Sequence, residues 1–157
     1  MPKIEDFLTP EEQESVIGAI RMAERNTSGE IRIHLEPHST PPDWKNNEHK
    51  DAIERAEEVF NILHMQNTKE SNGVLIYVAV EDRTLVIMDD KDINDKVGQN
   101  FWESTKDIMI AHFKKGEIKL GLVNGILKAG EQLKKYFPYQ SNDENELPDD
   151  ISVGKIS

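Results

Sequence analysis

The stretch Gly73-Val74-Leu75-Ile76-Tyr77-Val78-Ala79-Val80 is apolar throughout and contains no charged residue. A continuous apolar run of this length is typical of a central strand that is covered on both faces of a sheet. A short polar turn, Glu81-Asp82-Arg83, follows, and Thr84-Leu85-Val86-Ile87-Met88 then resumes the pattern of a strand. The two segments therefore predict an antiparallel β-hairpin at the centre of the fold.

The residues before this hairpin predict a helix and a further strand. Thr9-Pro10-Glu11-Glu12 combines an N-cap hydroxyl, a first-turn proline and a glutamate three residues after the threonine, which indicates a helix over residues 10–25. The segment from Glu30 to Glu36 alternates polar and apolar residues, so its three aliphatic residues share one face of a strand. His34 is therefore expected on the other face, away from the core.

Three more segments, residues 51–64, 95–114 and 118–136, have helical periodicity. In the first, the residues expected to face the core are Ile53, Ala56, Val59 or Phe60, and Leu63. In the last, the corresponding residues are Leu120, Val123, Leu127 and Leu133. Residues 138–157 are polar and acidic with little periodicity, which predicts a mobile or surface-wrapping tail.

The predicted elements follow the order helix, strand, helix, strand, strand, helix, helix. This order predicts an α/β fold in which a mixed sheet, built around the central hairpin, has helices on both faces. The first two strands are expected to be parallel through a right-handed crossover. Because 157 residues suffice for one hydrophobic core but not for two, we expect one domain over residues 1–137 and an acidic tail over residues 138–157.

The composition excludes several classes of function. A formal net charge of −11 disfavours a nucleic-acid partner and favours metal cations or basic proteins. The absence of cysteine excludes disulfides, thiolate zinc sites, iron–sulfur clusters and cysteine nucleophiles. Because the N-terminus has no apolar signal segment and no stretch is long enough to span a membrane, we expect a cytoplasmic monomer without a membrane span.

Two segments of the chain resemble the TPM domain, a family named after a thylakoid lumen protein, a photosystem repair protein and a nematode receptor modulator. The first runs from Asn72 to Arg83 and on into the next strand; the second is Ala111-His112-Phe113-Lys114-Lys115-Gly116-Glu117, which leads into Gly121-Leu122. Ser28-Gly29-Glu30-Ile31 is similar to the start of that family's first strand. The resemblance covers about residues 9–137 and implies a three-layer α/β/α sandwich. Many members are exported or tethered to a membrane, but this chain shows neither a signal nor an anchor, so we expect a small bacterial-type member without them.

The resemblance also implies candidate functions. Members of the family are associated with divalent cation binding, notably of calcium, and plant representatives are associated with acid phosphatase activity. Many members have a glycine- and aromatic-rich turn after the hairpin, where this chain has Asp89-Asp90-Lys91-Asp92-Ile93-Asn94-Asp95. A role that depends on that turn is therefore not carried over to this chain.

This acidic segment is the densest group of candidate metal ligands in the sequence. It contains five residues with side-chain oxygens, the ligand atoms that calcium and magnesium prefer: Asp89, Asp90, Asp92, Asn94 and Asp95. It is not an EF-hand, because the glycine at the sixth position and the glutamate at the twelfth are missing. The alternative is helix capping, since Asp92 or Asn94 can cap a helix and the helix dipole favours acidic residues in the first turn.

The predicted topology brings further oxygen atoms to two opposite edges of the sheet. The starts of the two parallel strands and the end of the hairpin lie at one edge, so Glu30 and Asn72 are expected beside the acidic segment. The other edge lies beyond the carboxyl ends of the parallel strands, where ligands of open α/β sheets usually bind. It carries Glu36, His38, Glu81, Asp82 and Arg83. Asp82 is the best candidate there, and the alternative is a turn aspartate that bonds its own backbone or pairs with Arg83.

The sequence thus predicts a TPM-like domain that binds calcium or magnesium through surface carboxylates in a non-catalytic binding or scaffolding role. The candidate ligands are Glu30, Asp82, Asp89, Asp90, Asp92 and Asp95. The first alternative is a metal-dependent acid phosphatase, in which the cation polarises a phosphoryl oxygen and activates water. The second alternative is a protein-interaction module that uses the loop around Trp44 and the acidic tail and needs no metal.

Overall fold

The computed structural model describes residues 7–37, 52–65, 73–81, 84–90, 93, 97, 100–138 and 151–153. In these residues the chain forms helices and strands in the following order: α1 (Pro10–Glu24), β1 (Glu30–Glu36), α2 (Ala52–Ile62), β2 (Gly73–Ala79), β3 (Thr84–Asp89), α3 (Glu103–Phe113), α4 (Ile118–Lys134) and β4 (Ile151–Val153). None of the helices in these ranges combines the length and the apolar character that crossing a membrane requires.

The strands form one mixed sheet in the order β3-β2-β1-β4. β1 and β2 are parallel, and β2 and β3 form the antiparallel hairpin, so both predicted pairings are confirmed. β4 pairs in parallel with β1 and was not predicted from the sequence. It lies within residues 138–157, which the sequence assigned to a tail, while the domain boundary at residue 137 stays a prediction.

Helices cover both faces of the sheet, so the predicted α/β fold is confirmed. On one face, α1, α3 and α4 enclose the larger hydrophobic core together with the aliphatic residues of β1 and alternate residues of β2. On the other face, α2 encloses a smaller core with Leu75, Tyr77 and Ala79 of β2, so the sheet divides the single core expected from the chain length into two. Because β1 is covered on both faces, His34 lies in the interior with Glu30 and Glu36 rather than at the surface, so the prediction for His34 was wrong.

The first helix begins as the sequence predicts. Thr9 Oγ1 accepts a hydrogen bond from the Glu12 backbone nitrogen at 3.1 Å, and the Glu12 carboxylate accepts one from the Thr9 nitrogen at 2.9 Å. This reciprocal capping box satisfies two of the backbone donors that a helix leaves without partners in its first turn. Pro10 occupies the first helical position, where the missing backbone N–H has no cost.

Two predicted core residues and one helix start were wrong. Ile53 of α2 is 61% exposed, and Leu120 of α4 is 37% exposed. In α2 the buried face instead contains Arg55, an amphipathic residue that a hydrophobic pattern does not select. The helix expected from residue 95 begins as α3 at Glu103, after a turn at residues 100–102.

The buried face of α4 is rotated away from the predicted face because it is built on glycine. Gly121, Gly125 and Gly130 lie on the buried face with Leu122 and Ile126. A β-carbon on Gly130 would lie 2.7 Å from Cβ of Ala23 in α1, and one on Gly121 would lie 2.5 Å from the Phe113 ring of α3. The glycines therefore allow α4 to approach α1 and α3 closely. A prediction based on large apolar residues does not identify a buried helix face that contains glycine.

Candidate functional site

The start of β1 and the end of β3 meet at one edge of the sheet, here called the strand-start edge. Glu30 pairs with Gly73, and the Asp90 nitrogen donates a hydrogen bond to the Gly73 carbonyl at 2.9 Å. Glu30 and Asp90 therefore lie on either side of Gly73, about 10 Å apart at their backbones because two strand spacings separate them. This is the juxtaposition that the topology predicts for these segments, while their role as metal ligands stays a prediction.

The face of the sheet on which Glu30 and Asp90 lie also carries a backbone oxygen. A β-carbon on Gly73 would lie 2.7 Å from the carbonyl oxygen of Met65, in the turn that follows α2. His64, the preceding residue, has a positive φ of 57°, which turns the chain back over the sheet at this point. The Met65 carbonyl thus covers Gly73 between the strand positions of the two acidic residues.

Asp89 lies on the opposite face of the sheet from Glu30 and Asp90. It pairs with Val74, whose side chain belongs to the larger core, and its Oδ2 accepts a hydrogen bond from the indole Nε1 of Trp102 at 2.9 Å. Burial raises the pKa of Asp89, and the hydrogen bond from Trp102 offsets part of that rise. Asp89 therefore anchors the start of the acidic segment to the turn before α3.

The remaining three predicted metal ligands are not among the residues that the structure describes. Asp92 and Asp95 of the acidic segment, and Asp82 at the opposite edge, lie outside the described residues. Within the described ranges, no three histidine, aspartate or glutamate side chains form a group that could hold a metal ion. A cation at the strand-start edge would thus need backbone oxygens or the carboxylates of residues 91–95 in addition to Glu30 and Asp90.

A buried polar cluster, which the sequence analysis did not predict, lies near the carboxyl end of β1. Glu36 is 3% exposed, and its carboxylate accepts hydrogen bonds from Arg55 Nε at 2.8 Å and Arg55 Nη2 at 2.9 Å. The Tyr77 hydroxyl donates to the same carboxylate, and His34 Nε2 lies 3.0 Å from its Oε1. We call these four residues the Glu36 cluster.

The Glu36 cluster holds its charges in place by mutual hydrogen bonding. Burial alone would raise the pKa of Glu36, but the hydrogen bonds from His34, Arg55 and Tyr77 outweigh it and lower the pKa to about 2. The hydrogen bonds to Glu36 likewise raise the pKa of Arg55. The carboxylate and the guanidinium are thus both ionised in the interior, where each one compensates the other.

The second ring nitrogen of His34 connects this cluster to β4. His34 Nδ1 lies 2.8 Å from the Ser152 hydroxyl, and the His34 ring stacks on Tyr77 with the ring planes 10° apart. Because ionised Glu36 can only accept, His34 Nε2 carries a proton and donates a hydrogen bond to it, while Nδ1 shares a hydrogen bond with the Ser152 hydroxyl. The cluster therefore joins β1, β2, β4 and α2 through their side chains.

Glu36 had been a candidate for a ligand site at the carboxyl edge of the sheet. Its burial and its hydrogen bonds instead place it in the interior, facing Arg55 rather than solvent. The available signal in the sequence was the pair of polar residues, His34 and Glu36, in a strand whose neighbour is apolar on both faces. Their partner, Arg55, is far away along the chain and could be assigned only once α2 was placed.

Two further polar groups lie on the helices. His112 at the end of α3 lies 3.1 Å from Glu117 and 3.2 Å from Asn124, and so ties the α3–α4 turn to α4. On α2, a surface cavity of about 280 Å³ is lined by Glu54, Glu57, Glu58 and Asn61. The first group is a structural clasp around Gly116, which has a positive φ of 77°, and the second is an acidic surface.

The chain is similar to a known protein family and to solved structures of bacterial proteins. Residues 3–132 match the TPM domain. BA42 from the psychrophilic bacterium Bizionia argentinensis has 52% sequence identity to this chain. Its solved structure aligns with a TM-score of 0.85, and the alignment covers 98% of this chain and 100% of that one. The N-terminal domain of a P. gingivalis protein is 19% identical, with a TM-score of 0.59 over 83% of this chain and 79% of that one, a likeness of fold. No curated protein matches the chain.

Proposed function

Because the chain belongs to the TPM domain family, we propose that it binds a divalent cation, calcium or magnesium, at the strand-start edge in a non-catalytic binding or scaffolding role. The observation that supports this most directly is the register that sets Glu30 and Asp90 on either side of Gly73, with the Met65 carbonyl above. Two carboxylates and a carbonyl are the hard oxygen ligands that these cations prefer.

The remaining ligands in this proposal come from the residues that follow β3. Asp92 and Asp95 continue the chain directly from Asp90, so they are within a few residues of the same edge. A net charge of −11 raises the local concentration of cations at the protein surface and further favours binding. Asp89 contributes indirectly in this arrangement, because its hydrogen bond to Trp102 fixes the backbone from which the ligands extend.

The bond between Asp89 and Trp102 makes the proposal testable by fluorescence. The chain has two tryptophans, so a Trp44→Phe variant reports on Trp102 alone. We expect calcium or magnesium, titrated into the chelator-treated variant, to change Trp102 emission in a saturable way. Amide NMR of the same titration should show shifts at Glu30, Gly73 and Asp90. A flat response in both measurements up to several millimolar cation would disprove cation binding.

A pair of matched variants tests whether the cation binds at the strand-start edge. Asp90→Asn should weaken cation binding by at least tenfold, because it removes a charged ligand, whereas Asp107→Asn, an exposed acid on α3, should leave it unchanged. Shifts centred on Ala79 and Glu81, with a loss in Asp82→Asn, would keep cation binding but move the site to the opposite edge. Equal effects of Asp90→Asn and Asp107→Asn would indicate diffuse attraction rather than a site.

The two alternative functions are separated from this one by the same preparations. A metal-dependent phosphatase would release phosphate from an aryl phosphate ester, and chelation and Asp90→Asn would both abolish the release. A protein-interaction module would bind its partner equally well in the presence of chelator. The non-catalytic role predicts a higher melting temperature with cation and no phosphate release.

A further inference from the structure

Helix α4 directs part of its large aliphatic side chains towards the surface. Its buried face contains Gly121, Gly125 and other small residues, whereas Leu120, Val123 and Leu127 are three and four residues apart and share another side of the helix. Leu120 is 37% exposed, and Val123 and Leu127 are half-buried. Because an amphipathic helix in a packed layer usually directs such residues inward, α4 presents an apolar stripe that its own core does not use fully.

Both ends of this apolar stripe are basic. Residues 114–135 contain six lysines and two glutamates, in a chain whose formal net charge is −11. All six lysines are exposed or half-exposed, three at the start of α4 and three near its end: Lys114, Lys115 and Lys119, and Lys128, Lys134 and Lys135. We call these lysines, together with Leu120, Val123 and Leu127, the outer face of α4.

The two glutamates offset only part of this positive charge. Glu117 lies 3.1 Å from Nδ1 of His112 and is tied into the turn before α4. Glu131 is exposed one helical turn away from three of the lysines, so one carboxylate is shared among three ammonium groups. The acidic residues of α2 lie on the other face of the sheet, beyond the Debye length of about 8 Å at physiological ionic strength. The outer face of α4 is therefore locally positive on an acidic protein.

We propose that the outer face of α4 is a docking surface for an acidic segment of a partner protein, with aliphatic side chains between two groups of carboxylates. The aliphatic side chains pack on Leu120 and Leu127, which are two helical turns, or about 10 Å, apart. The carboxylates pair with the lysines at the two ends, so charge complementarity selects and orients the segment. This inference is independent of the cation proposal, because Glu30 and Asp90 lie on the α2 side of the sheet.

Two other kinds of anionic partner fit this surface less well. A helix that binds at a membrane surface buries a continuous apolar face in the lipid, whereas Leu120 is 37% exposed and Val123 and Leu127 are covered further. A nucleic acid is bound through many neutralised phosphates, and a chain with a net charge of −11 repels an extended polyanion. A short acidic segment meets only the local positive charge.

The test titrates a designed helical peptide into the full chain and follows the amides by NMR. The peptide has Glu at both ends and two Leu residues seven positions apart in its centre. Saturable shifts at Leu120, Asn124 and Lys128, without shifts at Glu54 and Glu57 of α2, would support the proposal. The same peptide with Gln in place of Glu should bind several-fold more weakly, as should the Glu peptide when NaCl is raised from about 0.05 M to about 0.3 M. No saturable shift up to millimolar peptide would overturn the proposal.

Paired variants test the two components of the surface. Lys128→Gln combined with Lys135→Gln should weaken peptide binding about three- to tenfold, whereas the same two positions changed to Arg should retain it. Leu120→Gln should weaken binding several-fold, and Ile53→Gln, at an exposed aliphatic residue of α2, should leave it unchanged. If the Gln and Arg variants bind alike, or if Leu120→Gln and Ile53→Gln bind alike, the peptide is attracted diffusely and the proposal fails.

Three further outcomes would replace the partner protein by another occupant. Co-sedimentation of the chain with mixed phosphatidylserine–phosphatidylcholine vesicles, lost in the Lys128→Gln and Lys135→Gln variant, would assign the face to a membrane. A sedimentation mass of two chains, reduced to one in the same variant, would assign it to a second copy. Peptide binding that requires Asp143→Asn, Glu144→Gln and Glu146→Gln would assign it to acidic residues of the chain itself.

Discussion

Arg55 of α2 and Glu36 of β1 form a bidentate ion pair in the protein interior, with Nε to Oε2 at 2.8 Å and Nη2 to Oε1 at 2.9 Å. The two side chains are 6% and 4% exposed. This pair attaches α2 to the sheet at the carboxyl end of β1. The apolar residues of α2 do not predict this contact. The geometry matches the parallel donors of a guanidinium to the two carboxylate oxygens.

Removing the guanidinium should therefore destabilise the fold strongly. Arg55→Met keeps much of the apolar stem but leaves the Glu36 carboxylate buried without its main counter-charge, which costs about 3–5 kcal/mol. Glu58→Gln, which alters the half-exposed second partner of Arg55, should cost less than about 1 kcal/mol. Chemical denaturation of the two variants provides the comparison, and equal losses would contradict the assigned role of the pair.

The low pKa of Glu36 predicts a defined acid sensitivity. Its folded-state pKa of about 2 lies below its ordinary value of 4.5, so the ionised form stabilises the fold above pH 4.5. This contribution, on the order of 3 kcal/mol, should be lost as the pH falls from about 5 to 2. Denaturation at a series of pH values should show a shallower slope in that window for Glu36→Gln. An unchanged slope would show that other carboxylates dominate acid unfolding.

Asp89 should behave in the opposite sense. Because burial raises its pKa, the folded state binds the proton more readily than the unfolded state, and ionisation of Asp89 reduces stability as the pH rises above its ordinary range. Asp89→Asn keeps an acceptor for Trp102 and removes this effect, so in chelator it should not destabilise the protein at neutral pH. Asp89→Ala loses the hydrogen bond and should cost about 0.5–1.5 kcal/mol by thermal or chemical denaturation. Equal losses for both would contradict this account.

The glycine face of α4 gives a prediction with an internal control. In Gly130→Ala the new methyl group would lie 2.7 Å from Cβ and 3.0 Å from Cα of Ala23, so α1 and α4 must separate. Overpacking of this kind costs about 1–3 kcal/mol. Gly18→Ala, on the exposed side of α1 with nothing within 4 Å, should instead stabilise by up to about 1 kcal/mol through helix propensity. The melting temperatures of the two variants should shift in opposite directions.

Local signals in the sequence are sufficient to predict the central elements of this fold. The apolar run from Gly73 predicted the central strand, the turn at residues 81–83 predicted the hairpin, and the Thr9 capping box marked the start of α1. These are local signals, in which backbone chemistry and residue periodicity act within one segment. The order of the elements then predicted the parallel pairing of β1 with β2 and the edge at which Glu30 and Asp90 lie on either side of Gly73.

Which residues are buried together depends on contacts between distant segments of the chain. Arg55 and His34 are polar, and Gly130 is small, so hydrophobic periodicity selected Ile53 and Leu120 instead, which are exposed. β4 has too few residues for a recognisable pattern, and its place depends on His34 and Ile33 of a distant strand. The physical reason is that burying a polar group is favourable only when its partner is present, and that partner comes from another part of the chain.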